Sequence, residues 1–244
     1  MDGFTAAAAS GMRARLETLD LLANNLANAS APGFKVDREF YGTYLSADAA
    51  ESPGNGTGSV MPVIEKQWTD YTQGSLTPTG NSLDVALKGK GFFVAISPGG
   101  PLLTRDGSFR LSSGGDLETQ DGYKVRGQDG NPIQVDATRP VVITPEGDIQ
   151  QDGQLVAQLD IVDKKPGTDL SKHGMNYYNF PQNGVAAAGT DLQQGSLESS
   201  NFQPAESAVR LVTVLRQFEM LQRAVTLSTD MNRQVVEQVA RVTS

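Results

Sequence analysis

His173 is the only histidine in the chain, and no cysteine accompanies it. A Ser/His/Asp triad would have to rest on this one imidazole, and a Cys-based or multi-His metal site is ruled out by the same counts. The polar run Ser171 to Met175 around it reads as an ordinary exposed loop. Asp160 and Asp163 offer a carboxylate pair of the type that glycoside hydrolysis needs, which makes a cell-wall hydrolase the enzymatic alternative. Sequence spacing cannot establish the carboxylate separation such a reaction demands, and turn acids are ordinarily solvated. Gly89-Lys90-Gly91 lacks the Walker spacing with a following Ser or Thr, so it reads as a tight connection between strands. Phe92, Phe93 and Phe109 read as core. No catalytic, cofactor-binding or metal-binding residue is expected.

The whole-chain numbers point the same way. The 244 residues carry a formal charge of -8 with 20 Lys+Arg against 28 Asp+Glu, and no basic cluster stands out. A phosphate-backbone binder needs such a cluster to displace counterions, so no nucleic-acid partner is expected. Gly 26 and Pro 12 with 38% hydrophobic residues describe a turn-rich chain that still folds. Met1-Asp2-Gly3-Phe4 has no basic n-region, and the Ala6 to Ala9 run is too short for a secretory core, so any export is expected to proceed without a cleaved Sec signal. No membrane insertion is expected, because polar and charged residues follow directly.

The elements that position these residues fall into three parts. Thr5, Ala9, Met12, Leu16, Leu19, Ala23 and Leu26 recur at alternating steps of four and three, the spacing of a coiled-coil seam, with Asp2 as a cap and Pro32-Gly33 as the stop. At the other end Leu211, Val214, Phe218, Leu221, Val225, Ser228, Asn232, Val235, Val239 and Val242 continue the same alternation without Pro or Gly after Pro204. Pro204 suits a first helical turn, and Glu206 complements the helix dipole. These helices would be about 40 Å and about 60 Å long at 1.5 Å per residue.

Between them, Asp106-Gly107, Gly114-Gly115, Asp121-Gly122, Asp129-Gly130, Gly147-Asp148 and Asp152-Gly153 punctuate short apolar runs and predict an all-β domain. Strands are expected at 83–87, 92–96, 108–111, 123–126, 133–135, 141–143 and 155–162. The 47–58 stretch reads as a loop and 183–195 as a linker. The expected class is α+β, with discontinuous coiled-coil helices from both termini and an all-β middle domain. Its parts are a helix over 1–32, an extended linking region over 33–74, a β-rich domain over 75–195 and a helix over 196–244.

A long helix needs a packing partner along its length to offset the cost of ordering it. The shorter amino-terminal helix cannot cover the longer stripe, so an assembly seam is expected at Met12, Leu16, Leu19, Leu26, Leu211, Val214, Phe218, Leu221, Val225, Val235 and Val239. The polar Ser228 and Asn232 would set its register. Ordinary core packing of both helices on the β domain explains the same periodicity.

Three segments carry a family resemblance. Leu21 to Lys35, Leu-Leu-Ala-Asn-Asn-Leu-Ala-Asn-Ala-Ser-Ala-Pro-Gly-Phe-Lys, resembles the amino-terminal signature of the flagellar rod and hook family through Asn24, Asn25, Asn28, Pro32, Gly33 and Phe34. Asn81 to Val94 with Thr104 to Phe109 is similar to its β-domain signature, and Gly195 to Asn201 with Arg216 to Met220 to its carboxyl-terminal one. The resemblance implies a structural subunit of the basal-body rod, exported through the flagellar type III apparatus and added to a hollow, torque-transmitting axial tube. Its implied partners are copies of itself, other rod and hook proteins and the export apparatus, and its implied location spans the periplasm. The chain length favours a rod protein over the longer hook protein, and the short 40–62 region favours the proximal over the distal rod type. A non-flagellar coiled-coil filament subunit is the remaining structural alternative.

Overall fold

The computed structural model describes residues 2–45, 60–180 and 184–242. Among the described residues, two helices flank eighteen strands in the chain order: α1 (Asp2–Ala27), β1 (Asp37–Leu45), β2 (Val60–Thr69), β3 (Leu76–Pro78), β4 (Val85–Lys88), β5 (Phe92–Ser97), β6 (Gly100–Thr104), β7 (Arg110–Leu111), β8 (Leu117–Glu118), β9 (Lys124–Val125), β10 (Val142–Ile143), β11 (Asp148–Gln151), β12 (Gln154–Gln158), β13 (Ile161–Asp163), β14 (Lys172–His173), β15 (Tyr177–Asn179), β16 (Val185–Ala186), β17 (Asp191–Gln194), β18 (Ser196–Glu198) and α2 (Pro204–Val242). The α+β class stands. The chain divides into two compact units, one of Met1–Leu26, Asp37–Trp68 and Gln203–Ser244, the other of Ala27–Val36 and Thr69–Phe202.

In the first unit, α1 buries Ala8, Ala14, Thr18, Leu21, Leu22 and Asn25. This stripe, which mixes small and polar residues with Leu21 and Leu22, lies roughly a third of a turn from the apolar seam read in the sequence. Leu16 and Leu26 are instead 48% and 53% exposed, and Met12 and Leu19 are half-buried. Small residues suit close backbone approach, and polar ones are admitted because they find partners. Thr18 Oγ1 donates to the Ala14 carbonyl at 2.9 Å, and the Arg15 guanidinium stacks 5.0 Å over the Tyr41 ring while donating to its hydroxyl at 3.0 Å. Asn25 spends both ends of its amide on the first residue of β1, donating to the Asp37 carbonyl at 2.8 Å and accepting from the Asp37 amide at 3.0 Å.

On α2, Val214 is buried and Leu211, Phe218, Leu221, Val225, Ser228 and Asn232 are half-buried. The side chains of Val235 and Val239 lie outside the described residues. The opposite face carries a second apolar set, Val209, Met220, Leu227 and Met231, each more than half exposed. Arg210 pairs with Glu39 of β1.

In the second unit, β5 is the organising strand. Its apolar run is buried on both faces, as a continuous rather than alternating run requires. Phe93 enters a cluster with Phe109, Leu117, Ile133, Ile149 and Leu159, meeting the Phe109 ring edge-on at 5.1 Å, while Phe92 and Val94 pack with Leu103, Val162 and Tyr178 on the other side. β5 pairs with β6, β9 and β13 in the nine-stranded sheet, and β10, β11 and β12 form a separate three-stranded sheet. The β11–β12 hairpin closes through Asp152 at φ 52° and Gly153 at φ 77°, the two positive values of a type I′ turn.

Several sequence expectations need correction. The 33–74 region is not merely extended, because β1 and β2 pair within it as a two-stranded ribbon. The 183–195 stretch was expected to be a linker, yet β17 pairs with β4 over four residues, Asp191 with Lys88 through Gln194 with Val85. Its composition hides this because Leu192 alone faces the core. Ser196–Glu198 is a strand rather than helix, and α1 ends at Ala27, ahead of Pro32. Ile133 and Val135 are buried in the core, but only a single bridge, Asp116 to Gln134, forms between 133 and 135. The 47–58 loop expectation falls outside the described residues.

Candidate assembly junction

The charged residues that matter lie outside the chemical candidates read from the sequence. Lys35 follows directly on the Pro32-Gly33-Phe34 turn, Arg105 sits at the end of β6, and Glu198 closes β18. All three side chains belong to the second unit, and they are 0%, 4% and 1% exposed. Lys35 Nζ donates to Glu198 Oε1 at 2.5 Å and to the Thr72 carbonyl at 2.7 Å. Arg105 donates through Nη1 to Glu198 Oε2 at 3.3 Å and through Nη2 to the Gly89 carbonyl at 2.7 Å, and the Gly74 amide donates to Glu198 Oε1 at 2.9 Å.

Local structure aims each group inward. β18 alternates, so Ser196 and Glu198 face in while Leu197 is only half-buried. The left-handed Gly33, at φ 68°, turns the chain so that its amide donates to the Glu198 carbonyl at 2.7 Å. Phe34 is buried beneath the Lys172 ammonium, 4.7 Å from its ring centroid, and Lys172 Nζ donates to the Lys35 carbonyl at 3.1 Å. Burial pushes Lys35 and Arg105 below their ordinary values, and the Glu198 carboxylate works against that push in both. Two buried cations on one carboxylate form a network whose worth depends on every member staying in place.

Beside it, Asn201 gathers three chain segments. Its Oδ1 accepts from the Val36 amide at 3.0 Å, its Nδ2 donates to the Asp70 carbonyl at 2.8 Å, and the Asp70 amide in turn donates to the Val36 carbonyl at 2.9 Å. Val36, Asp70 and Asn201 lie within two residues of three of the points where the chain passes from one unit to the other. The side chain of one residue therefore fixes the second unit's ends of three crossings.

Of the family-motif residues, Gly33 and Phe34 lie in this junction, and the Pro32 carbonyl accepts from Asn176 Nδ2 at 3.2 Å. Asn25 sits apart in the first unit, Asn28 is buried in the second, and Asn24 is exposed. Lys35, Arg105, Glu198 and Asn201 all lie inside the segments that carry the family resemblance, but none was expected as a site residue. The available signal was a charge set between apolar neighbours, as in Phe34-Lys35-Val36.

The other chemical candidates are occupied otherwise. Asp160 accepts from Arg126 Nε at 2.7 Å, and Asp163 Oδ1 accepts from the Lys164 amide at 2.8 Å. His173 is exposed at the end of β14. Among the described residues, no group of three or more His, Cys, Asp or Glu is placed to hold a metal ion, and no helix is long and apolar enough to cross a membrane.

Among the described residues, Asp106, next to Arg105, is the one carboxylate raised above its ordinary range, chiefly by burial; hydrogen bonds from the Ser108 amide and hydroxyl oppose the shift. A raised folded-state value means that the folded chain holds this proton more tightly than the unfolded one. The contribution is fully present below about pH 3.8 and is lost as pH rises through the folded value. Asp106→Asn keeps the acceptor and removes the titration, so stability measured by urea unfolding should vary less steeply over the mildly acidic range than in the parent. Parallel profiles for the two proteins would refute this account of Asp106.

Comparison with known proteins matches the same segments. Residues 6–35 match the family "Flagella basal body rod protein", residues 86–157 match "Flagellar hook protein FlgE/F/G D1 domain", and residues 193–238 match "Flagellar basal body rod FlgEFG protein C-terminal". The chain is 32% identical over 228 residues to the flagellar basal-body rod protein FlgF of Caulobacter vibrioides, covering 92% of each chain. It is 30% identical over 248 residues to the flagellar basal-body rod protein FlgG of Buchnera aphidicola subsp. Acyrthosiphon pisum, covering 91% of this chain and 94% of the relative. It is also 30% identical to FlgG of Borreliella burgdorferi over 250 residues. The match runs through both helices and the β-rich unit, and the chain belongs to the flagellar basal-body rod protein family as a structural subunit of the rod.

Proposed function

We propose that this subunit joins copies of itself and other rod and hook proteins into a hollow, torque-transmitting axial tube whose inner wall is built from α1 and α2. In this reading it occupies the proximal rod, performs no catalysis, and reaches its place spanning the periplasm through the flagellar type III export apparatus, without a cleaved Sec signal. The observation that supports assembly is the doubly apolar character of α2. One face is partly covered within the first unit, while Val209, Met220, Leu227 and Met231 on the other stand in solvent. Exposed apolar residues that recur along one helix face mark an interaction surface. Met12, Leu16, Leu19 and Leu26 of α1, and Leu211, Val214, Phe218, Leu221, Val225, Val235 and Val239 of α2, are the proposed seam.

The junction around Glu198 and Asn201 gives torque a route. The chain crosses between the units at Val36, Thr69 and Phe202, and the buried network holds the second unit's side of those crossings. Deleting residues 225–244 should leave the second unit folded, because none of its residues is removed, while abolishing incorporation into the rod. Complementation of a strain lacking the native protein reads this out. Normal motility from the truncated chain would overturn the assembly reading.

A further inference from the structure

Leu155 and Val156 lie on β12, an edge strand of the three-stranded sheet, and an irregularity in its pairing sets them out together. The register passes from Ile149 with Ala157 to Gln150 with Leu155, so Val156 is the extra residue of a β-bulge. Two residues of the bulged strand then oppose one on its neighbour, and both point outward where strict alternation would turn one inward. Leu155 and Val156 are 63% and 42% exposed, and Val142, paired with Gln150 from the other side, is 51% exposed. Asp148, about 7 Å along β11 from Gln150, shares the outward positions, while Ile149 and Gln151 are buried. The outer face of this sheet therefore carries an apolar knob with a carboxylate beside it.

The same unit holds a cavity of about 360 Å³ at the edge of the nine-stranded sheet where β14 lies. Pro101, Leu102 and Phe180 are its apolar lining, and among its described lining residues His173 is the only ionisable one. Two of the polar groups in the lining are already occupied. Ser97 Oγ donates to the Gly100 carbonyl at 2.7 Å, and Asn179 Nδ2 donates to the Ser171 hydroxyl at 2.8 Å. The cavity has room for the side chains of a leucine and a valine, and it offers them apolar contact.

Copies of a chain with a formal charge of -8 repel one another, so contact is favoured where neither surface adds to that charge. Knob and cavity share no residue and complement each other, apolar against apolar and the Asp148 carboxylate against the His173 imidazole. We propose that Leu155 and Val156 of one copy seat in the Pro101, Leu102 and Phe180 cavity of a second copy, with Asp148 accepting a hydrogen bond from His173 of that copy. This contact rests on the reading of the chain as a self-assembling subunit and adds to it an interface outside the helices. Because the two surfaces differ, each added copy leaves one knob and one cavity free, and the array extends rather than closing at two.

The chain has no cysteine, so introduced thiols report without background. Full-length Gln154→Cys and Gly99→Cys proteins, which keep the knob and the apolar lining intact, are mixed and joined with a short bis-maleimide. A mixed dimer should form, and Ser113→Cys, exposed on a turn outside both surfaces, should give none in place of Gly99→Cys. Adding Leu155→Ser to Gln154→Cys should weaken the association by roughly tenfold or more, since full burial of one leucine is worth at least that factor. Asp148→Lys should weaken it too, and His173→Asp in the other copy should restore it. Sedimentation of the parent chain, with its loss on deleting residues 225–244, reads assembly through the helices separately. Pelleting without the mixed dimer overturns this contact alone, and absence of both signals overturns the assembly reading with it. An equal yield with Ser113→Cys means random collision, and a yield unchanged by Leu155→Ser means that the knob does not seat. Either result overturns the proposal.

Discussion

Replacing Glu198 with Ala should destabilise the β-rich unit by about 3–5 kcal/mol, the cost of leaving buried charge uncompensated. The carboxylate receives the Lys35 ammonium, the Arg105 guanidinium and the Gly74 amide, all with essentially no access to water. Removing it leaves two cations facing one another where neither can be hydrated. The loss should exceed that of a plain cavity, because Glu198→Gln, which keeps volume and an acceptor oxygen, should recover only part of it. A triple variant, Lys35→Met, Arg105→Leu and Glu198→Leu, should recover much more, since apolar replacement of a whole buried ion cluster is often neutral or stabilising. Denaturant unfolding of the three variants checks the set. A loss below about 1 kcal/mol for Glu198→Ala would mean that water reaches the network and that it is not the buried junction described above.

Gly33→Ala is the second large effect. At φ 68° an L-residue already costs about 1–2 kcal/mol. A Cβ there would lie 2.4 Å from the Arg105 carbonyl carbon, 2.5 Å from the Asp106 amide nitrogen and 2.6 Å from the Arg105 carbonyl oxygen. These are backbone atoms on both sides of a peptide bond that also positions Arg105, so relief requires moving the chain rather than rotating a side chain. Overpacking of this kind adds about 1–3 kcal/mol, for a total near 2–5 kcal/mol. Gly130→Ala isolates the conformational part: its φ is 83°, and nothing lies within 4 Å of its added Cβ. The difference between the two variants in thermal unfolding therefore measures the close approach of Gly33 to the 105–106 peptide. Equal losses would show that the turn around Gly33 moves aside freely and does not fix the junction.

Much of the architecture was readable because its causes are local. The Asp152-Gly153 pair adopts the two positive φ values its side chains favour, and the unbroken apolar run of β5 reports burial on both faces. The start of α2 was similarly legible, because Pro204 suits a first helical turn and no Pro or Gly follows it. The junction was hidden because its partners are remote in sequence. Lys35 and Glu198 are separated by 163 residues, and nothing in the wording around either announces the other. For the same reason β17 passed for a linker: Asp-Leu-Gln-Gln has strand character only once β4 is beside it. On α1 the expected seam was not the buried face: this subunit buries the neighbouring stripe of Ala8, Ala14, Thr18, Leu21 and Leu22, where small residues permit close approach. Leu16 and Leu26 are thereby left exposed for the proposed seam.

The sequence separation within the junction also sets a timetable for folding. The second unit cannot complete its Lys35–Glu198–Arg105 network, or the β3–β18 and β4–β17 pairs, until a chain read from its amino end has reached residue 198. Contacts of such long range are slow to form because loop closure must precede any energetic return. Most of the polypeptide is thus made before its most remote anchors exist, and it passes that interval without its final tertiary fastening. The late-forming fasteners leave the chain loose during synthesis and close only after the carboxyl-terminal third has joined the rest.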